Sequence, residues 1–295
     1  MKIAVLMSTY NGEKYLDEQL ESLAKQTVAD KMTLYIRDDG STDCTFDIIE
    51  KWKSKINIVL HKGKNVGPAM SFWELLMNQE IQADYYAFCD QDDIWDRNKI
   101  EQGIKRLTGK YHLYACNCRV VDESDKLISS NRVSGTPNMD VQRLFVSGCT
   151  QGCSMIFTDY LRQYIRRIKI ACIPMHDIVL MLYAKYYGKI YWDTEPHFSY
   201  RVHSNNVVAK NNKSFPQSIK TTLWNWNNSK KHSMTNVAQE MLDNIEKMPA
   251  DDSAFLRQIS EYRKYRIRII NRLKKENLDA KSLRSFEIRI FLGLY

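Results

Sequence analysis

The sequence contains no hydrophobic run that approaches the roughly 18 to 20 residues needed to span a bilayer. Its first apolar segment, Met1–Met7, is too short for a secretory signal peptide and has no small-residue cleavage site. Hydrophobic residues make up 44% of the 295 positions and charged residues 26%, which is an ordinary balance for a globular protein. We therefore expect a soluble, cytoplasmic chain whose N-terminus forms a first strand.

Glycine-rich nucleotide motifs are also missing. Neither G-x-G-x-x-G nor G-x-x-x-x-G-K-[ST] occurs, which excludes a dinucleotide fingerprint and a P-loop. Any phosphate would then be bound through a metal ion rather than by a glycine-rich loop. The seven cysteines are scattered, and the pairs Cys116/Cys118 and Cys149/Cys153 lack the usual zinc spacing. We expect reduced, mostly buried thiols.

Positive charge is concentrated at the C-terminal end. From Phe255 onward there are eleven Lys and Arg against four Asp and Glu, a balance of +7 within a total of +8. An apolar stripe lies among these basic residues, with two tryptophans upstream: Ile267, Ile269, Ile270 and Leu273, then Trp224 and Trp226. The pattern favours a helix at a membrane interface, although a helix packed on the rest of the protein with a solvated basic face fits it too. Nucleic acid is not expected, because the remainder of the chain is nearly neutral.

Strands and helices alternate in the first 108 residues. Apolar runs predict strands at 2–7, 33–36, 56–60 and 84–88, and 3.6-residue periodicity predicts helices at 13–26, after Ser41, at 68–77 and at 98–107. The expected fold is an α/β sheet, doubly wound and mostly parallel, with flanking helices; such sheets bind ligands beyond the carboxyl ends of their strands. Further strands are predicted at 111–121, 154–157 and 189–192, and further helices at 178–187, 215–247, 255–275 and 283–292.

Three polar clusters follow three of these strands: Thr9-Tyr10-Asn11, Asp38-Asp39 and Asp90-Gln91-Asp92-Asp93. In an extended segment alternate side chains point the same way, so Asp90 and Asp92 would share one face. Two carboxylates that close need a cation or a proton between them, and hard oxygen ligands suit Mg²⁺ or Mn²⁺. The alternative is a polar turn that ends a strand.

Five motifs together resemble family 2 of the glycosyltransferases, and within it a bacterial rhamnosyltransferase-like branch. They are Met7-Ser8-Thr9-Tyr10-Asn11-Gly12-Glu13, Arg37-Asp38-Asp39-Gly40-Ser41-Thr42-Asp43, Asp90-Gln91-Asp92-Asp93-Ile94-Trp95, Met175-His176-Asp177 and Tyr200-Arg201-Val202-His203-Ser204-Asn205-Asn206. The resemblance implies a GT-A (Rossmann-like) domain over 1–210, with a nucleotide-binding half at 1–108 and an acceptor and catalytic half at 109–210. Residues 211–295 lie outside it and are expected to form a helical, basic, membrane-associating extension.

The resemblance also implies roles for individual residues. Nucleotide-sugar contacts fall on Thr9, Tyr10, Asn11, Asp39, Asp90, Gln91 and Arg201, with Asp39 accepting from the base. Metal ligation falls on Asp92, Asp93 and His203, catalysis as general base on Asp177, and contact with the sugar or acceptor on Trp95, Gln151 and His176. Simpler alternatives are a turn role for Asp39, a helix cap for Asp177 and a buried anchor for Trp95.

The implied reaction is inverting transfer of a sugar from a nucleotide donor, with Mn²⁺ or Mg²⁺ as cofactor. A single base without a second catalytic carboxylate fits inversion, whereas a glycoside hydrolase needs a carboxyl pair. We expect rhamnose from dTDP-rhamnose as the transferred sugar, with UDP-galactose or UDP-glucose as alternatives. The acceptor would be a lipid-linked glycan of bacterial surface or capsular polysaccharide at the inner face of the membrane, and a homo-oligomer is possible. A hypothesis of another class is a non-catalytic subunit that binds nucleotide sugar as a scaffold.

Overall fold

The computed structural model describes residues 1–170, 173–203, 233–276, 278–293 and 295, and they fall into two compact units. Unit 1 takes Met1–Pro137, Thr150–Arg166 and Tyr187–Lys210; unit 2 takes Asn138–Cys149, Arg167–Tyr186 and Asn211–Tyr295. Unit 2 thus includes two segments from before residue 210, whereas the predicted domains 1–210 and 211–295 divide the chain at one point. That domain assignment stays a prediction.

The described part of unit 1 is built on a sheet of nine strands. They are β1 Ile3–Thr9, β2 Met32–Asp38, β3 Ile58–Lys62, β4 Tyr85–Cys89, β5 Ile94–Trp95, β6 Tyr111–Val121, β7 Leu127–Ser129, β8 Met155–Thr158 and β9 Lys189–Arg201. The order across the sheet is β3-β2-β1-β4-β8-β6-β9-β5, and β7 pairs with β6. The predicted strands are all present; β5 and β7 were missed because they are only two and three residues long.

Parallel pairing aligns the first four strands, with β1 between β2 and β4 and β3 beyond β2. The register sets Met7 beside both Ile36 and Cys89, so the polar residues after β1, β2 and β4 come out at one edge. β8 then enters antiparallel to β4 and β6, while β6 and β9 are parallel. The predicted α/β sheet is confirmed, and antiparallel strands join it in the second half; binding at this edge stays a prediction.

The described helices are α1 Leu16–Ala24, α2 Thr45–Trp52, α3 Pro68–Met77, α4 Lys99–Arg106, α5 Val141–Ser147, α6 Asp159–Ile165, α7 His176–Tyr187, α8 Ser233–Asn244, α9 Ala250–Ser260, α10 Tyr262–Leu273 and α11 Ala280–Phe291. The start of α3 at Pro68 is confirmed, and proline suits a first helical position because its missing N–H would have no partner there. None of the described helices is long and apolar enough to cross a membrane.

Ser41 precedes the predicted second helix and is by residue type a candidate N-cap, but it does not cap that helix. α2 begins at Thr45, and the hydroxyl of Ser41 is used between loops: it donates to Asp38 Oδ1 at 2.5 Å and accepts from Asn11 N at 2.9 Å. The Asp-Gly-Ser sequence fits either role, so the spacing alone could not distinguish a cap from a bridge between loops.

Unit 2 contains α5, α7 up to Tyr186, and α8 to α11. The single helix predicted at 255–275 is wrong, because it is broken at Glu261 into α9 and α10. Its apolar stripe faces inward: Ile269, Ile270 and Leu273 are at most 6% exposed, while Ile267 is 70% exposed. This arrangement corresponds to the second of the two possibilities stated above, a helix packed on the rest of the protein with a solvated basic face. Residues 215–232 of the predicted helix, including Trp224 and Trp226, lie outside the described residues.

Candidate active site

Asp39 is fixed at the end of β2 by three hydrogen bonds. Its Oδ1 accepts from Arg37 Nη1 at 2.5 Å and from Val66 N at 2.9 Å, and its Oδ2 accepts from Gly67 N at 2.9 Å. The side chain is 2% exposed. A carboxylate offers about four acceptor sites, so one remains for a ligand N–H. The predicted contact to a nucleotide base is therefore compatible with this geometry.

Arg37 is a buried residue of the candidate site whose contacts could not be predicted from the sequence. It is 5% exposed, and besides Asp39 it donates to Glu74 Oε2 at 2.6 Å and to Lys64 O at 3.2 Å. A methyl group added at Gly63 would come within 2.7 Å of the guanidinium carbon, so glycine is required where the chain passes it. One feature of the sequence could have indicated its burial: an arginine near the end of an otherwise apolar strand, followed by two aspartates.

Thr9 and Asn11 connect the first two loops rather than pointing outward. The hydroxyl of Thr9, which is fully buried, donates to Asp38 Oδ1 at 3.0 Å. Asn11 adopts a left-handed φ of 47°, and its side-chain oxygen accepts from Thr42 N at 2.9 Å. Asparagine tolerates that conformation better than most residues. The predicted contact of Thr9 with a nucleoside would thus have to use its backbone.

Tyr10 and Gln91 connect the first loop to the loop after β4. The Gln91 amide accepts from Tyr10 N at 2.9 Å and donates to Tyr10 O at 3.1 Å. A methyl group at Gly12 would lie 2.8 Å from the Gln91 amide carbon, so a side chain there would displace this bridge. Gln91 therefore orders the sheet edge where β1, β2 and β4 end, which we call the donor edge after the nucleotide-sugar contacts predicted there. The Tyr10 side chain is 49% exposed and can meet a ligand.

Asp92 and His203 meet directly. His203 Nε2 lies 2.7 Å from Asp92 Oδ2, and the two side chains are 9% and 14% exposed. Tyr15 packs against the imidazole, with ring centroids 4.9 Å apart. The structure thus brings together two predicted metal ligands separated by 111 positions in the sequence.

The surroundings of the Arg201 side chain differ from those expected for its predicted contact with the nucleotide sugar. It is 2% exposed and pairs with Glu18 Oε2 and Asp125 Oδ1, each at 2.5 Å. Its Nε donates to the backbone oxygen of Asp92 at 3.1 Å, and its guanidinium lies over Tyr15. A buried cation requires such acceptors, which explains why the guanidinium faces the protein. Arg201 positions the Asp92–His203 pair.

Asp90 and Asp93 approach Cys153, so that one potential ligand atom from each lies within 4.8 Å of the others. Asp93 is fully buried, and its carboxyl interacts with the Cys153 thiol, whose hydrogen bond acts to lower the pKa of Asp93. Burial, and then the negative charges of Asp90 and Asp92, raise the pKa of Asp93 well above its usual range. A cation would relieve this crowding of negative charge, so the acidic cluster fits the divalent metal that the resemblance implies.

Trp95 does not offer a ring face to a sugar. It is 3% exposed, and the Lys99 ammonium lies over its ring, 3.4 Å from the centroid. Lys99 is fully buried, and its Nζ has no hydrogen-bond partner among the described residues. Burial lowers the pKa of Lys99, and the neighbouring thiols and Asp93 act in the opposite direction. Trp95 is therefore a buried anchor, which was the alternative to its predicted contact with a sugar.

Gln151 lies beside Arg132. When its amide oxygen faces the guanidinium of Arg132, that oxygen accepts from Arg132 Nε at 2.7 Å. The backbone oxygen of Gln151 accepts from the Ser154 hydroxyl, just before β8 begins. It is partly exposed in unit 1, which leaves the predicted sugar or acceptor contact open.

His176 and Asp177 belong to unit 2 and form the start of α7, two residues before the start predicted at 178. Asp177 is 8% exposed, and its Oδ1 accepts from Ile178 N at 2.7 Å. The N-terminus of a helix favours the ionised carboxylate that a general base requires. His176 is 3% exposed, which favours a structural role. Within unit 2, burial and then the charge of Asp177 raise the pKa of the Cys149 thiol to about 12.

Comparison with known proteins gives a family match. The model of Glycosyl transferase family 2 matches residues 4–165. The dTDP-rhamnosyl transferase RfbG of Shigella flexneri is 31% identical over 218 residues, which cover 70% of this chain and 74% of that protein.

Two solved structures show the same fold. Staphylococcus aureus TarS 1–349 in complex with UDP-GlcNAc superposes with a TM-score of 0.61 at 17% identity, covering 100% of this chain and 82% of that one. The mannosyltransferase PcManGT of Pyrobaculum calidifontis, in complex with GDP-Man and Mn²⁺, gives 0.54 at 14% identity, covering 100% and 81%. These likenesses confirm the GT-A fold.

Proposed function

The chain belongs to glycosyl transferase family 2, and on that premise we propose that it transfers rhamnose from dTDP-rhamnose to a lipid-linked glycan, with inversion at the anomeric carbon. The observation that carries the proposal is the contact between Asp92 and His203 at 2.7 Å, at the same sheet edge as the anchored Asp39. The proposal is supported because this contact and the anchored Asp39 carboxylate both follow strands that end at one edge of the sheet.

Asp92 would hold Mn²⁺ or Mg²⁺, with His203 beside it and Asp90 and Asp93 completing the acidic surroundings. The ion would neutralise charge that develops on the leaving diphosphate. Asp39 accepts from the base N–H, and Arg201 keeps the backbone of Asp92 in place. The bridge between Gln91 and Tyr10 orders the loop over which the donor lies.

Asp177 is the proposed general base. Its carboxylate takes the proton from the acceptor hydroxyl as that oxygen attacks the anomeric carbon, and the nucleoside diphosphate departs from the opposite face. One base would be sufficient, because a metal ion held by Asp92 would stabilise the leaving group. The buried position in the first turn of α7 gives this carboxylate a fixed orientation and a helix N-terminus that favours its charge.

The choice of rhamnose rests on the similarity to the Shigella flexneri enzyme. A UDP-hexose donor, glucose or galactose, is the second candidate, because the TarS structure with the same fold holds UDP-GlcNAc. Few contacts decide the donor within a fold, so the fold does not choose between them. A scaffold without catalysis is disfavoured by the complete set of carboxylates, Asp39, Asp90, Asp92 and Asp177.

Membrane association is proposed through a surface of unit 2 that we call the basic face. It carries three exposed apolar side chains, Ile267, Phe291 and Leu292, which are 70%, 56% and 52% exposed. A cleft of about 570 Å³ beside them is lined by Arg263, Lys264, Arg266 and Arg268. Apolar residues that enter the lipid interface, surrounded by cations that meet anionic headgroups, are the physical requirement for such binding. A lipid-linked acceptor would then be held at the same surface.

Substitution of Asp177 by Asn tests the reaction. We expect the rate of sugar transfer to fall about 100-fold to 10,000-fold, because the amide cannot accept the acceptor proton. Calorimetric binding of dTDP or UDP in the presence of Mn²⁺ should be unchanged, since the donor residues lie in unit 1. Both dTDP-rhamnose and the UDP-hexoses are tried as donors, with Asp84→Asn as the matched control.

Transfer that survives Asp177→Asn would refute the assignment of the base. If wild-type protein transfers no sugar from any of these donors but still binds the nucleotide, the scaffold hypothesis is correct instead.

A further inference from the structure

We propose that Arg132 of unit 1 binds the diphosphate of the donor, at the phosphate that carries the sugar. The choice of this ligand rests on the transfer reaction proposed above. A departing nucleoside diphosphate carries about three negative charges, more than a divalent ion neutralises. Arg201, the arginine predicted to contact the nucleotide sugar, is buried against Glu18 and Asp125. Arg132 is exposed, and no carboxylate of the described residues pairs with it.

The backbone around Arg132 is held in place from inside the sheet. Arg132 N donates to Cys118 O at 2.9 Å. Asn117 of β6 is 2% exposed, and its amide group donates to Asn131 Oδ1 at 3.2 Å and to Val133 O at 2.7 Å. The side-chain oxygen of Asn117 accepts from Val133 N at 3.1 Å. Both neighbours of Arg132 are therefore fixed, so this arginine is oriented before a ligand arrives.

Two side chains then fix the guanidinium of Arg132. Its central carbon lies 4.7 Å from the ring centroid of Tyr200. When the amide oxygen of Gln151 faces it, that oxygen accepts from Nε at 2.7 Å and from Nη1 at 3.2 Å. The edge formed by Nη1 and Nη2 carries further N–H groups, for which the described residues provide no acceptor. That edge is the part of an arginine that binds a phosphate through two parallel hydrogen bonds.

Tyr200 places Arg132 beside the acidic residues that follow β4. β5 and β9 are antiparallel with Ile94 opposite Ser199, so the next pair in this register sets Asp93 opposite Tyr200. Burial, and then the charge of Asp90, raise the pKa of Tyr200, whereas Arg132 acts to lower it. A cation and the carboxylates of the candidate metal site therefore act on the same phenol.

The order of the strands indicates which phosphate Arg132 would meet. Across the sheet the order is β2, β1, β4 and β8. Asp39 follows β2, whereas Gln151, which holds Arg132, precedes β8 on the other side of the acidic residues. A donor whose base meets Asp39 and whose diphosphate meets the metal would present its sugar-bearing phosphate to Arg132.

Arg106 provides a matched control, because it has similar surroundings at the other end of β9. It is exposed, and its guanidinium carbon lies 5.3 Å from the ring centroid of Tyr191. Tyr191 is near the start of β9, whereas Tyr200 is next to its last residue. The two arginines thus share exposure and stacking on a tyrosine, and only Arg132 lies near the donor edge.

The test is calorimetric titration of the full-length protein with dTDP and dTMP, and with UDP and UMP, in the presence of Mn²⁺. Arg132→Ala should weaken binding of the diphosphates by about 10- to 100-fold, because hydrogen bonds to a charged group are lost. Binding of the monophosphates should change by less than about 3-fold, since they lack the contacted phosphate. Arg132→Lys keeps the charge without the planar fork and should recover only part of the affinity. Arg106→Ala should leave all four affinities unchanged.

The contrast between diphosphate and monophosphate separates a phosphate contact from a structural role, which would lower both affinities together. An unchanged diphosphate affinity in Arg132→Ala, or an equal loss for both kinds of nucleotide, overturns the proposal. Either result leaves the proposed transferase standing, because that function depends on Asp92 and Asp177. If the wild type binds none of the four nucleotides, the proposed function and this contact fail together.

Discussion

Units 1 and 2 use charged residues in different ways. In unit 1, Arg37, Arg162 and Arg201 are each at most 5% exposed, and they fix loops and backbone oxygens from inside the protein. In unit 2, Arg263, Lys264 and Arg268 of α10 lie on the surface. Buried cations in unit 1 preorganise a site before a ligand arrives, whereas solvated ones in unit 2 can attract an anionic surface. Unit 2 also has exceptions: Asp177 is buried, and Arg289 donates to Val146 O at 3.0 Å.

The largest expected difference between the units is in how much an arginine side chain contributes to the free energy of unfolding. Arg162 of unit 1 is 1% exposed and donates to the backbone oxygens of Leu76 and Ile81 at 2.9 and 2.6 Å. It also donates to Asn78 O and to Tyr86 Oη. Arg162→Ala should lower the free energy of unfolding by about 3 to 5 kcal/mol, because several buried acceptors lose their partner. The urea midpoint measures this.

Arg268→Ala is the control for that loss. Arg268 is an exposed residue of α10, so we expect a change within about 0.5 kcal/mol. Equal losses in the two variants would show that buried and exposed arginines contribute alike, and the contrast between the units would be wrong.

The next effect is on donor binding. Asp92→Asn should weaken Mn²⁺-dependent binding of dTDP or UDP by about 100-fold or more, since a neutral amide is a poor ligand for a hard cation. Asp84→Asn is the matched control, because Asp84 precedes the amino end of β4 while Asp92 follows its carboxyl end. Addition of EDTA should reduce wild-type binding to the level of Asp92→Asn. Undiminished binding in the variant would remove Asp92 from the metal site.

A smaller effect is expected at the basic face. Ile267→Glu should reduce binding to vesicles that contain anionic lipid by about 10-fold to 100-fold, because an apolar side chain is lost from the interface and a negative charge added. Ile128→Glu is the matched control: Ile128 is 60% exposed in unit 1, compared with 70% for Ile267. Co-sedimentation measures both. If the two variants lose binding equally, unit 2 has no special role at a membrane.

The smallest effect concerns a single charge. Arg268→Ala should weaken vesicle binding by about 1 kcal/mol, and the difference should shrink as salt shortens the range of the electrostatic attraction. Vesicles of neutral lipid should show no difference between wild type and variant. A salt-independent loss would indicate that the side chain packs against something other than headgroups.

The sequence predicted the donor edge well, because parallel strands that end together are recognisable from apolar runs followed by polar clusters. Asp39 and Asp92 follow β2 and β4 as the pattern indicated, and α7 begins at His176, two residues before its predicted start. The directions of individual side chains were not predictable. Gln91 and Thr9 are hydrogen-bonded between loops, and Arg201 pairs with Glu18 across 183 positions, so neither the partner nor the burial could be derived from spacing.

The C-terminal helix α10 shows a similar limit of prediction from sequence. The periodicity of Ile267, Ile269, Ile270 and Leu273 predicts helix, and helix is found. It does not say what covers the apolar side, and three of these four residues pack inward. The exposed apolar residues beside Ile267 come from the end of α11, and the fold alone brings the two helices together.

Sequence alone determined the class of the protein, because local apolar periodicity and five short motifs can be identified without any knowledge of tertiary contacts. Tertiary structure decided which of the acidic residues face each other. Asp92 meets His203 across 111 positions of sequence, and Asp93 meets Cys153 across 60 positions, with Asp90 beside them. Such contacts depend on strand register and on burial, and both are set by the packing of the whole sheet rather than by any one segment.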